Sequence, residues 1–579
     1  MVTTTRRAVT RALGAGRTSE MEPATIAAQL RELAMYYELD GDRHRAYAYD
    51  KAAKSVEATQ GLQRLIDEGR LEELPNIGPS TARVIAELHK TGRVAVLDRM
   101  RSQWPAVVIE LATLPKVGVQ KARKIFKSLD PADLDQVAAL CRAGAVSELP
   151  GFGKVSEQKI LRSIEERKLH GTRLILVEAQ DHASSLSHHL KGEPAVSRVE
   201  ICGPIRRWCE VVDVMSYAVA SRDRDAVAAR FAEFGLVTSV DRTADPIVGF
   251  AAAGVRCEVH VAPPERFGWA MVVATGSKAH VAQLLERAAQ RGIDLTRLEA
   301  TEEPLVYQAL GLPWLPPEVR DGTDEIAAAL AGDDFSDLIT LEDITVALHC
   351  HTTESDGKNS LTDMIRGAAE QGFDAITITD HSANASYANG LDLPRLRAQG
   401  AEIAALEHPD VHVVHGTEAD ILADGAIDVP PEMIGQLGLI IASVHQRYQL
   451  DEDRTTRRLI AAMQQPYFKI WGHPLGRLVL RRDPIGVRID EVLDALASSR
   501  GAIEINGDPH RLDLDPDNVR LAAQRGIPFV LASDAHSVRA LGAVRYAVGL
   551  ARRARLRKKD VINARPAPEV AALIRPNPS

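Results

Sequence analysis

From residue 344 onward, short apolar runs alternate with helical segments in a regular order. Seven runs show this alternation: TVALHCH, AITITDH, VHVVHGTEAD, LIIASVH, FKIWGH, GAIEING and PFVLASDAH. Continuous apolar runs are typical of buried parallel strands, and repeated strand–helix units close into a barrel. Residues 344–579 are therefore predicted to form a distorted seven-stranded α/β barrel.

Side chains that bind metals fall at the ends of six of these seven runs, where barrel enzymes place their active sites. The strand-end residues are His349, His351, His381, Glu418, His445, His473, Asp534 and His536, and Asp356 follows soon after the first run. In a strand, residues i and i+2 point to one face, so His349 and His351 are expected to share one space. A lone strand-end histidine is more often structural, but the repetition favours metal binding.

The nature and number of these donors indicate which ions they would bind. Mixed imidazole and carboxylate ligands suit zinc, manganese or iron, and they do not suit calcium. Six histidines and three carboxylates are too many for one ion. We therefore predict two or three divalent cations, an arrangement that activates water for in-line phosphoryl displacement.

A different motif recurs before residue 170. LPNIG (74–78), LPKVG (114–118) and LPGFG (149–153) share one form, and each precedes a helix-like stretch with basic residues. This is typical of helix–hairpin–helix motifs, which hold nucleic-acid backbone through glycine turns and helix N-termini. The predicted DNA contacts are Gly78, Gly118, Gly153, Lys121 and Lys154. Ordinary helix turns are the alternative. Asn76 and Lys116 replace the first hairpin glycine in two copies, and asparagine tolerates positive φ better than lysine.

These patterns predict an ordered series of domains. A disordered basic tail (1–20), for which a transit peptide is the alternative, precedes a helical domain with the first hairpin (21–105) and a domain with two hairpins (106–169). A mixed α/β domain (170–265), a smaller α/β unit (266–325) and an acidic linker (326–343) lead to the barrel. The stretch ARRARLRKKD (551–560) fits either a DNA contact or a solvated helix.

Charge and cysteine content restrict the partners and the compartment. The formal net charge of −9 gives no global basic field, so DNA contacts must come from local patches. The five cysteines form no CxxC pair, which favours a reducing, cytoplasmic location. The N-terminus lacks the apolar region of a secretory signal, and no apolar run is long enough to span a membrane. We expect a monomer without membrane partners.

The C-terminal half, about 340–579, resembles a PHP phosphoesterase domain through LHCH, TDH, TE, SVH, GHP and SDAH. The resemblance implies that all nine residues named above bind divalent cations, with manganese or zinc expected. It also implies that Glu418 and Asp534 act as bridging or hydroxide-orienting carboxylates.

The preceding part resembles a bacterial family X DNA polymerase, in which hairpin domains, palm and thumb precede a PHP domain. ICGPIRRWCEVVDVMSYAVAS (201–221) resembles its nucleotide-binding and catalytic stretch, and GVRCEVHVAPPERFGWAMVVATGS (254–277) resembles its run into the thumb. The paired arginines Arg206 and Arg207 are present, but Pro204 replaces the expected serine.

The polymerase carboxylates are also altered. Asp213, Val214 and Ser216 stand where the resemblance implies Gly, Asp and Asp, and Glu258 occupies the third carboxylate position. Polymerisation needs carboxylates that hold two magnesium ions. The sequence therefore predicts a palm without magnesium that has lost templated synthesis.

Lyase activity is not expected either, since Val84, beside Arg83, stands where the family has its Schiff-base lysine. Arg45, Lys51 and Lys54 could still bind a 5′-phosphate, although a solvated helix face explains them equally well.

The leading hypothesis is a metal-dependent 3′→5′ DNA exonuclease that acts in DNA repair. The resemblance also allows 3′-phosphatase or abasic-site endonuclease activity. Arg477, Arg511 and Lys358 follow strand ends and would offset developing charge, unless they form surface salt bridges. The alternatives are an active gap-filling family X DNA polymerase, a small-molecule phosphatase of the PHP class and a non-catalytic DNA-binding scaffold.

Overall fold

The computed structural model describes residues 23–59, 62–114, 117–170, 172–234, 237–251, 254–406, 411–446 and 451–576. The tail predicted for residues 1–20 lies outside these ranges. The chain divides into two compact units, of which the first comprises Met1–Leu169, Asp181–Val196 and Glu233–Leu236. The second comprises His170–Gln180, Ser197–Ala232 and Val237–Ser579. The finer domain boundaries stay predictions.

The first unit has a helical core. Its helices are α1 (Pro23–Asp40), α2 (Arg43–Ala58), α3 (Leu62–Asp67), α4 (Pro79–Thr91), α5 (Ala95–Gln103), α6 (Ala106–Thr113), α7 (Gly118–Leu129), α8 (Leu134–Arg142) and α9 (Lys154–His170). Leu30, Leu88 and Ile125 are fully buried where these helices pack together. Among the described residues of the whole chain, no helix is both long and apolar enough to cross a membrane.

The three predicted hairpin turns lead into helices. The turn glycines stand at the starts of α4, α7 and α9: Gly78, Gly118 and Gly153. Asn76 has a φ of 63°, so asparagine does adopt the left-handed conformation expected of the first hairpin position. Lys116, the corresponding residue of the second turn, lies outside the described residues.

The middle of the chain forms the predicted mixed α/β fold. Its strands are β1 (Leu174–Ile175), β2 (Val196–Ile201), β3 (Val211–Val212), β4 (Val214–Ser221), β5 (Val237–Asp241), β6 (Ile247–Ala251) and β7 (Arg256–Ala262). Its helices are α10 (Leu176–Lys191), α11 (Gly203–Arg206) and α12 (Arg224–Ala232). Five strands form one sheet in the order β2-β4-β7-β6-β5, in which β4 and β7 run parallel. A separate antiparallel pair joins β1 to β3.

The segment 266–325 differs from the small α/β unit that the sequence predicts, because it holds helices and no strand. The helices are α13 (Phe267–Thr275), α14 (Lys278–Gln290), α15 (Glu303–Ala309) and α16 (Glu325–Leu330). The apolar run at 311–319 contains three prolines, which cannot donate to a strand ladder. Phe335 and Leu338 of the predicted linker are buried in the same core as these helices.

The last part of the chain is the predicted barrel. Its strands are β8 (Val346–Cys350), β9 (Ala375–Ile378), β10 (His412–Asp420), β11 (Leu439–Ser443), β12 (Ile470–Trp471), β13 (Ala502–Asn506) and β14 (Phe529–Ala532). Its helices are α17 (Leu361–Glu370), α18 (Leu393–Ala405), α19 (Glu452–Met463), α20 (Ile489–Ser498), α21 (Pro516–Gln524), α22 (Val544–Arg553) and α23 (Ala567–Ile574). The seven strands pair in sequence order, and each neighbouring pair is parallel.

The barrel is nearly closed at its carboxyl rim. There the amide of His351 donates to the carbonyl of Ala535 at 2.9 Å, and the amide of Ala535 donates to the carbonyl of His349 at 2.8 Å. Every residue of β8, β11 and β13 is buried, as expected of parallel strands covered on both faces. The closed rim brings the polar strand ends together.

Candidate metal centre

The nine predicted ligands converge at this rim. Among the described residues, their donor atoms form four groups, and within each group the atoms lie within 4.8 Å of one another. The groups are His351–Asp356–His381–His536, His349–Glu418–His473, His349–His351–Asp534 and His381–Glu418–His445. Because the groups share residues, they form one continuous cluster, which we call the metal cluster.

His349 and His351 share one space, as their spacing predicts. Both are completely buried, and their ring centroids lie 5.2 Å apart. The strand is not regular at this point, because its register against β9 shifts between Ala347 and Cys350. His349 has a φ of 60°, so a local irregularity helps to direct the two rings.

Three ligands have left-handed backbone conformations that non-glycine residues rarely adopt. The φ angles are 60° at His349, 24° at His473 and 51° at Asp534. Such conformations cost of order 1–3 kcal/mol each and concentrate at functional sites. Because all three occur at strand ends of one rim, we infer that the fold tolerates a local loss of stability in order to orient these side chains.

Glu418 lies at the centre of the metal cluster. Its Oε1 lies 2.8 Å from His473 Nε2 and 3.1 Å from His445 Nε2. Its Oε2 lies 3.0 Å from His381 Nδ1 and 3.3 Å from His349 Nε2. A carboxylate with histidines on both oxygens has the geometry of a bridging ligand.

The other two carboxylates lie on either side. Asp534 Oδ1 is 3.4 Å from His351 Nε2 and 3.6 Å from His536 Nδ1. Asp356 Oδ1 is 3.3 Å from His536 Nε2 and 3.6 Å from His381 Nε2. Asp356 is more exposed than the others, at 36 % of its side chain, so it lies toward the mouth of the site.

The donor set fits divalent cations. Six buried imidazole nitrogens of the cluster have no partner in hydrogen-bonding geometry, although some lie near carboxylate oxygens: His349 Nε2, His351 Nδ1 and Nε2, His381 Nδ1, His445 Nε2 and His473 Nδ1. Glu418 Oε2 is also buried without a partner in hydrogen-bonding geometry. Leaving a buried polar group unsatisfied costs about 1–3 kcal/mol, so a set of this size at one point is expected only where ions satisfy it.

The charges of the site also suit cations. Burial alone would raise the pKa of Glu418, but the histidines around it hold that pKa well below its ordinary value. Burial likewise opposes ionisation of Asp534, yet His349 and His351 keep its pKa well below the ordinary range. Both central carboxylates are therefore charged at neutral pH.

A second layer of carboxylates, which the sequence analysis missed, orients the ligands. Glu504 accepts from His349 Nδ1 at 2.6 Å and from the amide of His473. Asp420 contacts His445 Nδ1 at 2.5 Å. Such partners fix the orientation of ligand rings and raise their basicity. The alternation of side chains along a strand could have identified Glu504. It lies two residues before Asn506, at the end of β13, and therefore points to the same face of the strand.

The three cations predicted to offset charge lie in different surroundings. Arg511 Nε is 3.3 Å from Asp534 Oδ2, so it lies beside the metal cluster. Arg477 donates to the carbonyls of Arg511, at 3.1 Å, and Leu512, which ties it to the chain after β13. Lys358 is exposed, and its amide donates to the carbonyl of His536.

The residues of the predicted degenerate polymerase site lie on the middle sheet. Ser216 of β4 pairs directly with Glu258 of β7. Val214 opens β4, and Asp213 is exposed just before it. The neighbouring His260 and Arg256 hold the pKa of Glu258 at about 2. Glu258 is thus an ionised carboxylate whose strand neighbour is a hydroxyl.

The paired arginines of that site have protein partners. Arg206 donates from both terminal nitrogens to Glu303, at 2.7 and 2.8 Å. Arg207 donates to the carbonyl of Thr275 at 2.6 Å and lies 3.3 Å from Asp321. Pro204 is buried in the short helix α11.

In the first unit, the predicted DNA contacts vary in accessibility. Gly78, Gly118, Gly153 and Lys154 are exposed, and Lys121 is partly buried.

Three further cations occupy α2: Arg45 lies over the Tyr37 ring, Lys51 lies over the Tyr47 ring, and Lys54 pairs with Asp50 at 2.7 Å. Val84 is buried in α4, whereas Arg83 beside it is exposed.

Three protein families match parts of this chain. The helix-hairpin-helix domain matches residues 21–94, and the SAM-like helix-hairpin-helix tandem matches residues 108–166. The PHP domain matches residues 347–508, which include the strand ends from β8 to β13.

Relatives match over nearly the whole chain or over about a third of it. The DNA polymerase/3′-5′ exonuclease PolX of Bacillus subtilis (strain 168) is 30% identical over 574 residues, which cover 96% of this chain and 100% of the relative. A probable phosphatase of Caldicellulosiruptor bescii is 29% identical, and the match covers 33% of this chain and 80% of the relative. A probable phosphatase of Citrobacter koseri is 30% identical, and the match covers 34% of this chain and 80% of the relative.

Proposed function

The chain belongs to the PolX family of bacterial family X DNA polymerases with a PHP domain, and we propose that its working activity is a metal-dependent 3′→5′ DNA exonuclease. It is a DNA-processing hydrolase by family. The polarity of cleavage and the dependence on metal are parts of the proposal. The observation that carries it is the convergence of nine donors into one cluster with unsatisfied buried nitrogens.

The residues of the metal cluster divide into two roles. His349, His351, Asp356, His381, His445, His473 and His536 would hold two or three divalent cations, with manganese or zinc favoured by the imidazole donors. Glu418 and Asp534 would bridge those cations and orient the attacking water. Bound cations supply an activated water and neutralise charge on the phosphodiester.

The positive side chain nearest the cluster has a separate role. Arg511 lies beside Asp534, where its charge would offset the charge that develops on the phosphoryl oxygens. Lys358 is a second candidate at the exposed edge of the site. The contacts of Arg477 with Arg511, Leu512 and Glu210 support a positioning role for this third arginine.

The helix–hairpin–helix families support DNA as the partner, through backbone contacts at the glycine turns. A role in repair of gaps and damaged ends, by a monomer in the cytoplasm, completes the proposal. The similarity of the barrel to probable phosphatases favours one second activity, removal of a 3′-phosphate, because monoester hydrolysis uses the same water and cations.

Loss of templated synthesis is part of the same proposal. Val214 and Ser216 cannot replace carboxylates beside Glu258, and Arg206 is already paired with Glu303. Primer extension on a gapped template, with magnesium or manganese, is expected to yield no product. Robust extension would establish the gap-filling polymerase instead.

The nuclease is tested with 5′-labelled single-stranded and gapped DNA in the presence of manganese. A descending ladder of products supports 3′→5′ cleavage, phosphate release alone supports a phosphatase, and binding without product supports a scaffold. His349→Ala combined with His351→Ala is expected to remove cleavage and leave DNA binding intact. Asp494→Ala, at an exposed barrel residue on α20, is the matched control and should retain the ladder.

A further inference from the structure

We propose that Tyr387 is a base-stacking platform beside the metal cluster, through which the site favours nucleic-acid strands that present a base over base-free phosphate esters. This inference rests on the proposed nuclease function and adds the recognition of the substrate base. Neither the metal ligands nor the hairpins supply such recognition, because both act on phosphates.

The ring of Tyr387 lies close to two ligand histidines. Its centroid is 6.2 Å from that of His381 and 6.2 Å from that of His445, at interplanar angles of 60° and 61°. Yet Tyr387 is 62% exposed, in contrast to the buried ligands next to it. A large aromatic ring at the edge of a cation site, open to solvent, is placed to meet a bound molecule.

The loop that carries the ring, residues 382–391 between β9 and α18, is closed at its base. The amide of Leu391 donates to the carbonyl of His381 at 2.7 Å, and the amide of Ser382 donates to the carbonyl of Glu418 at 2.9 Å. A Cβ at Gly390 would lie 1.9 Å from the Ser382 carbonyl oxygen. The two ends of the loop therefore lie too close together for a residue with a side chain at position 390. The loop is therefore tied directly to two metal ligands.

The tip of the loop is tied as well. Asn389, with a φ of 54°, donates from its side chain to the carbonyl of Glu354 at 3.0 Å, and Arg395 donates to the carbonyl of Asn389 at 2.9 Å. The amide of Asn384 donates to Asp428 at 2.8 Å. A ring held on an ordered loop loses little conformational freedom when a ligand binds, which is the condition for an effective platform.

The position of the ring suits a nucleotide bound at the metal cluster. The ring is centred 6.2 Å from two of the proposed ligand rings, so the base of a nucleotide whose phosphate lies at the cluster can contact it. Every base has a π-face, and stacking on aromatic rings is therefore tolerant of sequence. A general exonuclease needs this kind of recognition, since it must hold each new terminal nucleotide in turn.

The test removes either the tyrosine face or the base. Two labelled single strands are compared with manganese: one normal, and one with base-free tetrahydrofuran residues at its last two 3′ positions. The full-length wild-type chain is expected to have a KM about 5- to 150-fold lower for the normal strand, the range that corresponds to about 1–3 kcal/mol per stacked base. Tyr387→Ala should raise the KM of the normal strand to that of the base-free strand.

Two further variants make the result specific. Tyr387→Phe keeps the face and loses the hydroxyl, so it should retain the preference for the normal strand. Leu573→Ala, at an exposed apolar residue of α23, is the control for removal of an exposed side chain and should also retain it.

The outcomes separate this inference from the proposed function. If the wild type shortens both strands with equal KM, or if Tyr387→Ala keeps the preference, the stacking platform is wrong and the nuclease stands. If Tyr387→Phe behaves like Tyr387→Ala, the hydroxyl is responsible and the proposal also falls. If the wild type shortens neither strand, the proposed function and this inference fail together.

Discussion

Glu210 bridges two arginines of the barrel, and one of them, Arg477, connects the middle domain to the metal cluster. Glu210 accepts from Arg477 at 3.1 Å and from Arg553 at 2.5 Å. Arg477 in turn donates to the carbonyls of Arg511 and Leu512, and Arg511 lies beside the candidate ligand Asp534. The segment that the polymerase resemblance assigns to nucleotide binding thus supports the barrel.

The neighbouring tryptophan strengthens this connection. The Trp208 ring lies edge-on to Tyr546 with centroids 5.6 Å apart, and a Cβ at Gly549 would approach the Trp208 ring to 2.5 Å. The glycine therefore leaves room for the aromatic ring against α22. Together, Trp208 and Glu210 fasten the middle domain to the barrel by apolar and charged contacts.

Glu210→Gln should weaken both the fold and the activity. The change leaves Arg477, which is 14% exposed, without its carboxylate, and breaking such a pair costs about 3 kcal/mol. We expect the thermal unfolding midpoint and the rate of DNA cleavage to fall together, as measured by calorimetry and by the ladder assay. Glu200→Gln removes the more exposed pair with Arg198 and should change neither. Equal behaviour of the two variants would show that Glu210 has no special role.

Glu504→Gln should weaken metal binding although Glu504 is not in the ligand set. Glu504 orients His349 and holds the amide of His473, and loss of such partners typically lowers metal affinity 10- to 100-fold. The measurement is manganese titration of the metal-free protein. Glu402→Gln, at an exposed residue of α18, is the control. An unchanged manganese affinity in Glu504→Gln would contradict the assignment of Glu504.

The sequence was sufficient to predict the barrel and the convergence of the nine candidate ligands, because both depend on local patterns. Each ligand ends or follows an apolar run, and parallel strands in one barrel bring those ends to one rim. This pattern does not identify Glu504, because Glu504 lies inside its apolar run, where a carboxylate is not expected. The role of Arg477 depends on Glu210, which is 267 positions away, and no local pattern indicates such a pairing.

The basic stretch at 551–560 illustrates the same limit. The sequence allowed a DNA contact or a solvated helix, but the structure gives these cations acidic partners. Arg552 pairs with Glu318 at 2.8 Å, Arg555 pairs with Asp324 at 2.7 Å, and Lys558 pairs with Asp343 at 3.0 Å. Asp343 belongs to the acidic segment that suggested a linker, whereas Glu318 and Asp324 lie just before that segment.

Stability should depend on pH through Glu303. Burial alone would raise its pKa, but Arg206 and Arg320 lower it to about 2, below the ordinary value of 4.5. A depressed pKa contributes stability above about pH 4.5 that is lost as the pH falls toward about 2, and this shift is worth about 3 kcal/mol. Glu303→Gln should lower the unfolding midpoint at pH 7 and flatten its decline between pH 5 and about 3. Calorimetry across this range measures both effects.

The adjacent residue provides the control for that prediction. Glu302 pairs with Arg198 at 2.6 Å, but both side chains are well exposed, at 56% and 38%. An exposed pair contributes only about 0–1 kcal/mol, so Glu302→Gln should keep the wild-type midpoint and pH profile. If Glu302→Gln and Glu303→Gln had the same profile, the buried pair would not be the source of the pH dependence.

Metal removal should destabilise the barrel, because the metal cluster leaves six buried imidazole nitrogens without hydrogen-bond partners. Ions that bind the folded state alone stabilise it by about 2.7 kcal/mol at 100 times their Kd. Chelation should therefore lower the unfolding midpoint, and manganese or zinc should restore it, whereas calcium should not, since imidazole suits it poorly. The double variant His349→Ala and His351→Ala should show a smaller response to manganese. Equal stabilisation by calcium and manganese would indicate a site governed by the carboxylates and not by the histidines.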